Sequence, residues 1–467
     1  MSDSADFVVL GGGVAGLTIA RELARAGRSV AVVERGGTVG GLARTFRRDG
    51  FSFDLGGHRF HSNNPDVVNW LKALMGGDLL CVDRRSRIHL RGRFIDYPIR
   101  LTQATRAFGA AQAVRGGLSY LGALATNHRE QAVTFEDWVT RRFGRVLYEI
   151  YFKPYTEKVW GIRCDELSAD WAAQRISVPN LAETVRGAVF PPKTPAATAV
   201  RQFYYPQRGY GTIADRLAEA IAADGQQVLT STSLAALAFN KDDAAVGVVD
   251  GAGCARTIRC GQVISTVPLD ALLAALAREP VMARLAAEAR LAYRGLVLIF
   301  LGLARPQVSP DSWTYFPGPE FLFGRTHEPK NWSEAMVPGS SVTSLALEVF
   351  SSPGEATWDA PDADLIERAT GELVRLGWIR HTDVTHAWVL RVPHAYPVHD
   401  LGYAERLATV RSAIDRYPRL RLAGRTGSFS DMNVDGIVED CFRLARALKL
   451  TPGADVRPLG ADASRWA

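Results

Sequence analysis

The chain has 467 residues, 47% of them hydrophobic and 22% charged, a length beyond one ordinary domain that suits two or three built around a large core. Fifty-five basic residues face 49 acidic ones, a net charge of +6, with no basic run of the kind that makes a nucleic-acid-binding tail. Forty-eight of the basic residues are arginine; most belong on a solvated surface, while a few suit a site for a planar or phosphorylated anion, where the guanidinium fork outperforms an ammonium.

Phe7–Leu10 is a short apolar strand leading into Gly11-Gly12-Gly13-Val14-Ala15-Gly16. Leu17–Ala26 carry apolar residues at helical period, and Ser29–Val33 give a second strand ending at Glu34, so the opening is a βαβ unit. Gly11, Gly13 and Gly16 have the spacing of a dinucleotide-binding turn. The first permits the tight turn, the second admits a pyrophosphate and the third lets helix and strand pack closely. Glu34 stands where a carboxylate takes ribose hydroxyls. The motif alone does not separate NAD from FAD. Phe51-Ser52-Phe53-Asp54 alternates apolar and polar and leads to Gly56-Gly57-His58, which is expected at a strand end, where open α/β sheets hold their ligands. Paired glycines let backbone approach a flat ligand, and His58 would then sit at that ligand's reactive edge.

Residues 101 to 185 are rich in alanine and helix formers, and 187–200 form a proline-rich connector. Gly209-Tyr210-Gly211 opens another helix, followed by strands near Gln227–Leu229 and Gln262–Val267. Residues 291–400 are dominated by β-branched and aromatic strands. Among them, the apolar run Gly295–Leu301 is too short to span a bilayer and reads as a buried strand. A strand at 419–424 and an amphipathic helix through Leu450 close the pattern. A dinucleotide domain is therefore expected from three pieces (1–80, 201–280 and 412–450). A mostly helical insertion (81–200) and a β-sheet substrate domain (281–411) are threaded between them, and 451–467 is expected to be a flexible tail. Five cysteines, odd in number and without CxxC spacing, argue against a disulfide framework or zinc site and for a reducing compartment. With no basic n-region at Met1-Ser2-Asp3, no secretory signal is expected. The expectation is a cytoplasmic protein with no metal, membrane or nucleic-acid partner.

Thr38-Val39-Gly40-Gly41-Leu42-Ala43-Arg44, just past Glu34, resembles the flavin-dependent amine oxidase and protoporphyrinogen oxidase superfamily, in which this segment meets the FAD pyrophosphate and isoalloxazine. Val263–Pro268 is similar to that superfamily's internal strand, and Gln227-Val228-Leu229 to its adenine-side strand. Ala423-Gly424-Arg425 and the helix from Gly436 look like the segment that closes over the cofactor. The resemblance implies an α/β fold whose Rossmann-like domain binds FAD through Gly11, Gly13, Gly16, Glu34, Gly41, Arg44, Gly56, Gly57, Leu229, Gly424, Arg425 and Asn433.

Within that superfamily the chain resembles the UDP-galactopyranose mutases. Gly56-Gly57-His58 matches their flavin-facing turn. Arg93–Pro98 resembles the segment whose tyrosine, here Tyr97, packs on the nucleotide base. Pro154–Trp160 and Trp171–Leu181 look like their helical nucleotide-binding segments, which places Arg175 on one diphosphate-binding arginine. Trp313–Pro317 leads to Phe323-Gly324-Arg325, which places Arg325 on the second, and Tyr396-Pro397 resembles the motif whose tyrosine touches the phosphates. The resemblance implies an isomerase that exchanges pyranose and furanose forms of a nucleotide-diphosphate sugar through an adduct between reduced flavin N5 and the sugar. In this picture His58, Arg175 and Arg325 carry the reaction, an external reductant serves the flavin, and Tyr97, Arg100, Trp160, Trp313, Trp332 and Tyr396 line the substrate.

Four positions leave the family pattern. Asp431 stands about where a tyrosine touches sugar and phosphate, His61 where an aromatic is usual, Arg100 where a glutamine is frequent, and Trp332 in place of a tyrosine. A carboxylate beside a diphosphate is repulsive unless paired. Asp431 therefore keeps a second class open, an amine-oxidase-like or desaturase-like FAD oxidoreductase in which an acid near the flavin anchors a cationic amine.

Overall fold

The structure, a computed structural model, describes residues 4–97, 109–126, 131–175 and 201–450. β1 (Ser4–Leu10), helix α1 (Val14–Arg25) and β2 (Val30–Val33) form the expected βαβ unit. All of β2 and the C-terminal half of β1 are buried, as parallel strands covered on both faces require. α1 buries Val14, Leu17, Ile19, Ala20 and Leu23 and packs against the helices Thr212–Ala223 and Val434–Leu450. Segments more than 400 residues apart in sequence thus share one core.

β3 (Thr45–Arg48) and β4 (Phe51–Asp54) pair only with each other. The Gly56-Gly57-His58 turn was expected at the end of a strand in the open sheet; it instead follows the second strand of this two-stranded hairpin. Four alternating residues specify a half-buried strand but not its partner. A second correction concerns residues 81–97, expected to begin the helical insertion. The chain here makes β5 (Leu79–Asp83), β6 (Ser86–Leu90) and β7 (Arg93–Tyr97). β6 and β7 form a hairpin whose turn holds Arg91 at φ +50° and Gly92 at +75°. An arginine in a position that favours Asn or Gly hides the turn, and the arginines of this stretch mask the buried Ser86, Ile88 and Leu90.

The helices Ala110–Ala125, Phe135–Phe143, Lys153–Trp160 and Ala169–Arg175 follow. β8 (Gln202–Pro206) then returns antiparallel to β5. The connector at 187–200 and the tail 451–467 lie outside the described residues. β9 (Gln227–Leu229), β10 (Thr232–Phe239), β11 (Ala244–Asp250) and β12 (Ala255–Ser265) complete the first sheet in the order β10-β11-β12-β1-β2-β9.

β13 (Tyr293–Leu303), β14 (Trp313–Tyr315), β15 (Arg325–His327), β16 (Thr343–Val349) and β17 (Val384–Pro397) form the second sheet with β6 and β7, in the order β17-β13-β16-β15-β14-β6-β7. β18 (Leu420–Leu422) returns to the first sheet beside β12. One face of the second sheet is covered by the helix Asp362–Arg375 through Leu365, Ala369 and Leu373. The other receives the β3–β4 hairpin, with Phe53 stacked on Phe300 at 4.5 Å between ring centroids. Side chains alternate along a strand, so Asp54 points the other way and ties β4 to the first domain. It accepts from Thr45 Oγ1 (2.6 Å), Tyr205 OH (2.6 Å) and Tyr210 N–H (3.0 Å). The hairpin is bolted between the two sheets, which fixes where Gly56–Gly57 emerges. Among the described residues no helix is long and apolar enough to cross a membrane.

Candidate active site

At the end of β1, Gly11 N–H donates to the Val33 carbonyl (2.8 Å). A Cβ on Gly16 would collide with the Gly11 carbonyl oxygen, so glycine is required there by the protein alone. Gly13 is different. Its φ is −75°, and a Cβ would meet nothing nearer than Gly41 Cα at 3.9 Å. The fold leaves that space open, as a cradle for a phosphate at the N-terminus of α1 needs. Glu34 accepts from Gly12 N–H and Gly36 N–H, each at 2.7 Å, and its own N–H donates to the Leu229 carbonyl (2.8 Å). Gly40 N–H donates to the Gly12 carbonyl (2.8 Å), laying the turn Gly41–Ala43 and Arg44 against the glycine-rich turn. Gly424 packs on Ala15. Arg425 donates Nε (3.0 Å) and Nη2 (2.7 Å) to the Met432 carbonyl, closing the loop just before Asn433 and the last helix. These residues converge from both ends of the chain on the C-terminal ends of parallel strands. They fit an elongated dinucleotide such as FAD.

The second turn joins the two sheets chemically. Gly56 holds φ +115°, and Gly57 N–H donates to Glu348 Oε1 (3.0 Å). Arg325 grips the same carboxylate with both arms of its fork, Nε to Oε1 at 2.8 Å and Nη2 to Oε2, and His327 Nδ1 lies 3.6 Å from Oε1. Glu348 is fully buried. Burial pushes its pKa up, but the Arg325 charge, the adjacent His327 ring and the Arg325 hydrogen bonds outweigh it and hold the carboxyl at about 2. Sequence reading missed Glu348, although a single acid in the apolar run Thr343-Ser-Leu-Ala-Leu-Glu-Val349 was a legible signal of a built ion pair.

His58 stacks on Tyr210 at 5.1 Å, with Nδ1 buried and without a hydrogen-bond partner. Its pKa falls to about 3, first through burial and then through the charges of Arg425 and Arg325, against the pull of Glu348. It is a neutral imidazole. His61 is also lowered, by burial and then by Arg59. Around them stand phenols: Tyr155 and Tyr315 meet edge to face at 5.7 Å, and Tyr315 faces Tyr97 at 5.6 Å. Arg425 lies over Tyr396 at 5.6 Å. Tyr155 and Tyr315 were not singled out from the sequence.

The remaining expected residues are placed as follows. Trp160 is 4% exposed, edge-on to Trp171 (5.1 Å), and Trp332 is 3% exposed, stacked on His327 at 4.9 Å. Both indole N–H groups are buried and lack partners. Trp313 donates Nε1–H to Tyr315 OH (2.8 Å) and carries Arg59 and Arg84 over its ring. Asp431 accepts from Trp171 Nε1 (3.1 Å). Arg175 ends the helix Ala169–Arg175. Arg100 lies outside the described residues. Among the described residues no group of three His, Cys, Asp or Glu side chains could hold a metal ion.

A split domain whose sheet carries a dinucleotide cradle at the ends of its parallel strands, packed through a hairpin against a second, mixed sheet, defines a dinucleotide-binding protein. The chain matches the flavin containing amine oxidoreductase family over residues 14–448 and belongs to that family. It is 28% identical over 167 residues to a probable UDP-galactopyranose mutase of Klebsiella pneumoniae, 35% of this chain and 43% of that one. It is 31% identical over 147 residues to a phytoene desaturase of Fusarium fujikuroi, 30% and 26%. The matched stretches thus span less than half of either relative. The coproporphyrinogen III oxidase of Propionibacterium freudenreichii subsp. freudenreichii is 24% identical across 97% of this chain and 94% of its own. Among solved structures, reduced UDP-galactopyranose mutase has the same fold, with a TM-score of 0.80 at 23% identity over 96% of this chain and 94% of that one. A putative protoporphyrinogen oxidase from Exiguobacterium sp. 255-15 reaches 0.73 at 17% identity, covering 95% and 98%.

Proposed function

We propose that this protein is a flavin-dependent mutase that interconverts the pyranose and furanose forms of a nucleotide-diphosphate sugar. The observation that carries the reading is the charge beside the flavin-facing turn. Arg325 is held against Gly57 by Glu348, next to a histidine that stays neutral. A guanidinium there suits the leaving diphosphate of a nucleotide sugar. Asp431, the acid that could have anchored an amine, accepts Trp171 Nε1–H at Oδ2. Similarity to the mutases in fold and over a third of the chain supports the same reading.

Bound FAD, in its reduced form, supplies the nucleophile for the sugar's anomeric carbon. Gly11, Gly13, Gly16 and Gly41 would admit its pyrophosphate, with Arg44 and Arg425 near its charge. Glu34 would take the ribose and Leu229 the adenine side. Gly56 and Gly57 would face the ring, and Gly424 and Asn433 would close over it. His58 positions the ring as an uncharged neighbour. Arg325 holds the departing diphosphate for recapture, with Arg175 as its counterpart, and Tyr97, Trp160, Trp313, Trp332, Tyr396, His61 and Asp431 shape the rest of the substrate site. The five free cysteines suit a reducing compartment such as the cytoplasm.

The test is a titration of UDP, GDP, TDP and their sugars into holoenzyme reduced with dithionite under anaerobic conditions, followed by flavin absorbance. One nucleotide series should give a saturable change that Arg325→Gln weakens at least tenfold. No response to any series contradicts the reading. The relative aligned across nearly the whole chain is named an oxidase, which keeps an oxidoreductase as the second reading. Hydrogen peroxide formed by oxidised holoenzyme from an organic substrate would favour it.

A further inference from the structure

The loop 316–324 joins β14 to β15 and ends directly before Arg325. Pro317 and Pro319 bring no N–H to it, so it carries more carbonyl acceptors than donors. Its neck is closed by Phe316 N–H to the Gly324 carbonyl (2.8 Å), and Gly324 N–H donates to the Glu348 carbonyl (2.9 Å). Further out, Leu322 N–H donates to Glu372 Oε2 (2.6 Å). The carbonyls of Phe316, Gly318 and Phe323 turn towards one point.

That point is the Lys158 ammonium. Its Nζ donates to the Phe316 carbonyl at 2.9 Å and to those of Gly318 and Phe323 at 2.8 Å each. An ammonium has three donors and no acceptor, so the loop takes all that this side chain can give. The stem runs beside Gly324, where a Cβ would lie 3.9 Å from Lys158 Cδ. Burial lowers the pKa of the group to about 8, against the pull of Glu320 and Glu372 and with the push of Arg368. At neutral pH it is a cation. The helix Lys153–Trp160 supplies it. Tyr155, one turn earlier on the same face, meets Tyr315 of β14 edge to face at 5.7 Å. One ammonium therefore locks the helix that carries Tyr155 and Trp160 onto the loop that delivers Arg325.

We propose that Lys158 is a positioning residue that fixes the 316–324 loop and, through it, the place of Arg325 in the site. Glu348 holds the head of Arg325; Lys158 holds the backbone from which that side chain departs. The consequence for a diphosphate rests on the nucleotide-sugar reading, while the lock on the loop rests on the geometry alone.

Two measurements on FAD-loaded holoenzyme test this. Backbone hydrogen exchange, followed by mass spectrometry, should run at least tenfold faster over residues 316–327 in Lys158→Met, with β1 and β12 unchanged. Lys153→Met, the same change at an exposed lysine of the same helix, should leave 316–327 as in wild type. The second measurement titrates UDP, GDP and TDP calorimetrically into dithionite-reduced enzyme. For the nucleotide that binds, Lys158→Met should weaken affinity at least fivefold, yet add less than twofold to the loss caused by Arg325→Gln. A residue that acts through Arg325 has nothing to position once Arg325 is gone. Where the methionine variant does not fold, Lys158→Gln keeps two donors on a shorter stem and should give the same changes at smaller size. Wild-type exchange over 316–327 in a folded variant, or additive losses in the double variant, overturns the proposal. Faster exchange confined to 316–327 in an enzyme that binds none of the nucleotides sinks the functional reading and leaves the lock standing. Nucleotide binding by wild type, with exchange and affinity both unchanged in Lys158→Met, does the reverse.

Discussion

Glu348 is a carboxylate with no exposed surface in a strand that is otherwise apolar or hydroxylic. Arg325 and the Gly57 N–H hold it, with the His327 ring alongside. Its pKa of about 2, against 4.5 ordinarily, stabilises the fold by roughly 3 kcal/mol. The folded-state value is depressed, so this stabilisation is complete above pH 4.5 and is lost as pH falls towards 2. Glu348→Gln leaves Arg325 half-buried without its counter-charge and should cost about 3–5 kcal/mol. The difference in thermal midpoint between wild type and variant should be constant from pH 7 to 5 and shrink below 4.5; a difference that ignores acid contradicts the ion pair. His58 gives a complementary expectation. With its pKa at about 3, its ring resonances should show no titration between pH 5 and 9, and a midpoint near 6.5 would mean the site is wetter and less positive than described.

His58, His61, Arg325 and Arg425 were singled out from the sequence by their motif order, whereas His327, Arg59 and Arg84 were not. Glu348 carries a signal as the lone acid of an apolar strand, but its role does not show in it, because that lies in a contact 291 residues away with Gly57 N–H. The same holds for Asp54. It was noticed as part of a strand, yet only the fold shows it holding Thr45, Tyr205 and Tyr210.

At the scale of elements, two glycines of one turn separate what the fold needs from what the ligand needs. Gly16→Ala drives a Cβ into the Gly11 carbonyl and should unfold or severely destabilise the first domain. Gly13→Ala has extended backbone and open space, so its apoprotein should keep its stability within about 1 kcal/mol. It should nevertheless lose FAD at least tenfold, read from absorbance at constant protein after dialysis. Equal flavin retention by Gly13→Ala and wild type would remove the pyrophosphate from that cradle. Strands with strong pattern were readable, β13 above all, which is buried along nearly its whole length. β6 and β7 were not, since arginines on the outward positions and a left-handed arginine in the turn obscure a period of two. Of the β3–β4 hairpin only the strand Phe51–Asp54 was recognised, and its partner was not, because alternation reports a buried face and not a neighbour.

Across the whole molecule, the first sheet and its helices are assembled from the beginning, middle and end of the chain, and the second sheet presses the β3–β4 hairpin against them. That arrangement brings Arg59, Arg84, Arg325 and Arg425 to one region from four separate elements. Binding of a diphosphate there should weaken as salt rises from 0.05 to 0.5 M, several-fold more steeply than binding of a neutral sugar, because screening acts on the charges alone. The glycine-rich turn at Gly11–Gly16, with the strands at Gln227–Leu229, Gln262–Val267 and 419–424, made this architecture readable in outline.

The central claim is that the flavin works here without net oxidation of the substrate. The direct measurement incubates FAD-loaded enzyme anaerobically with the nucleotide sugar that binds most tightly, with and without dithionite, and follows the two ring forms by chromatography. The account predicts interconversion to a fixed pyranose–furanose ratio only in the reduced sample. A substrate left in one ring form by reduced enzyme, with oxidised enzyme instead consuming an organic substrate and oxygen, would contradict it.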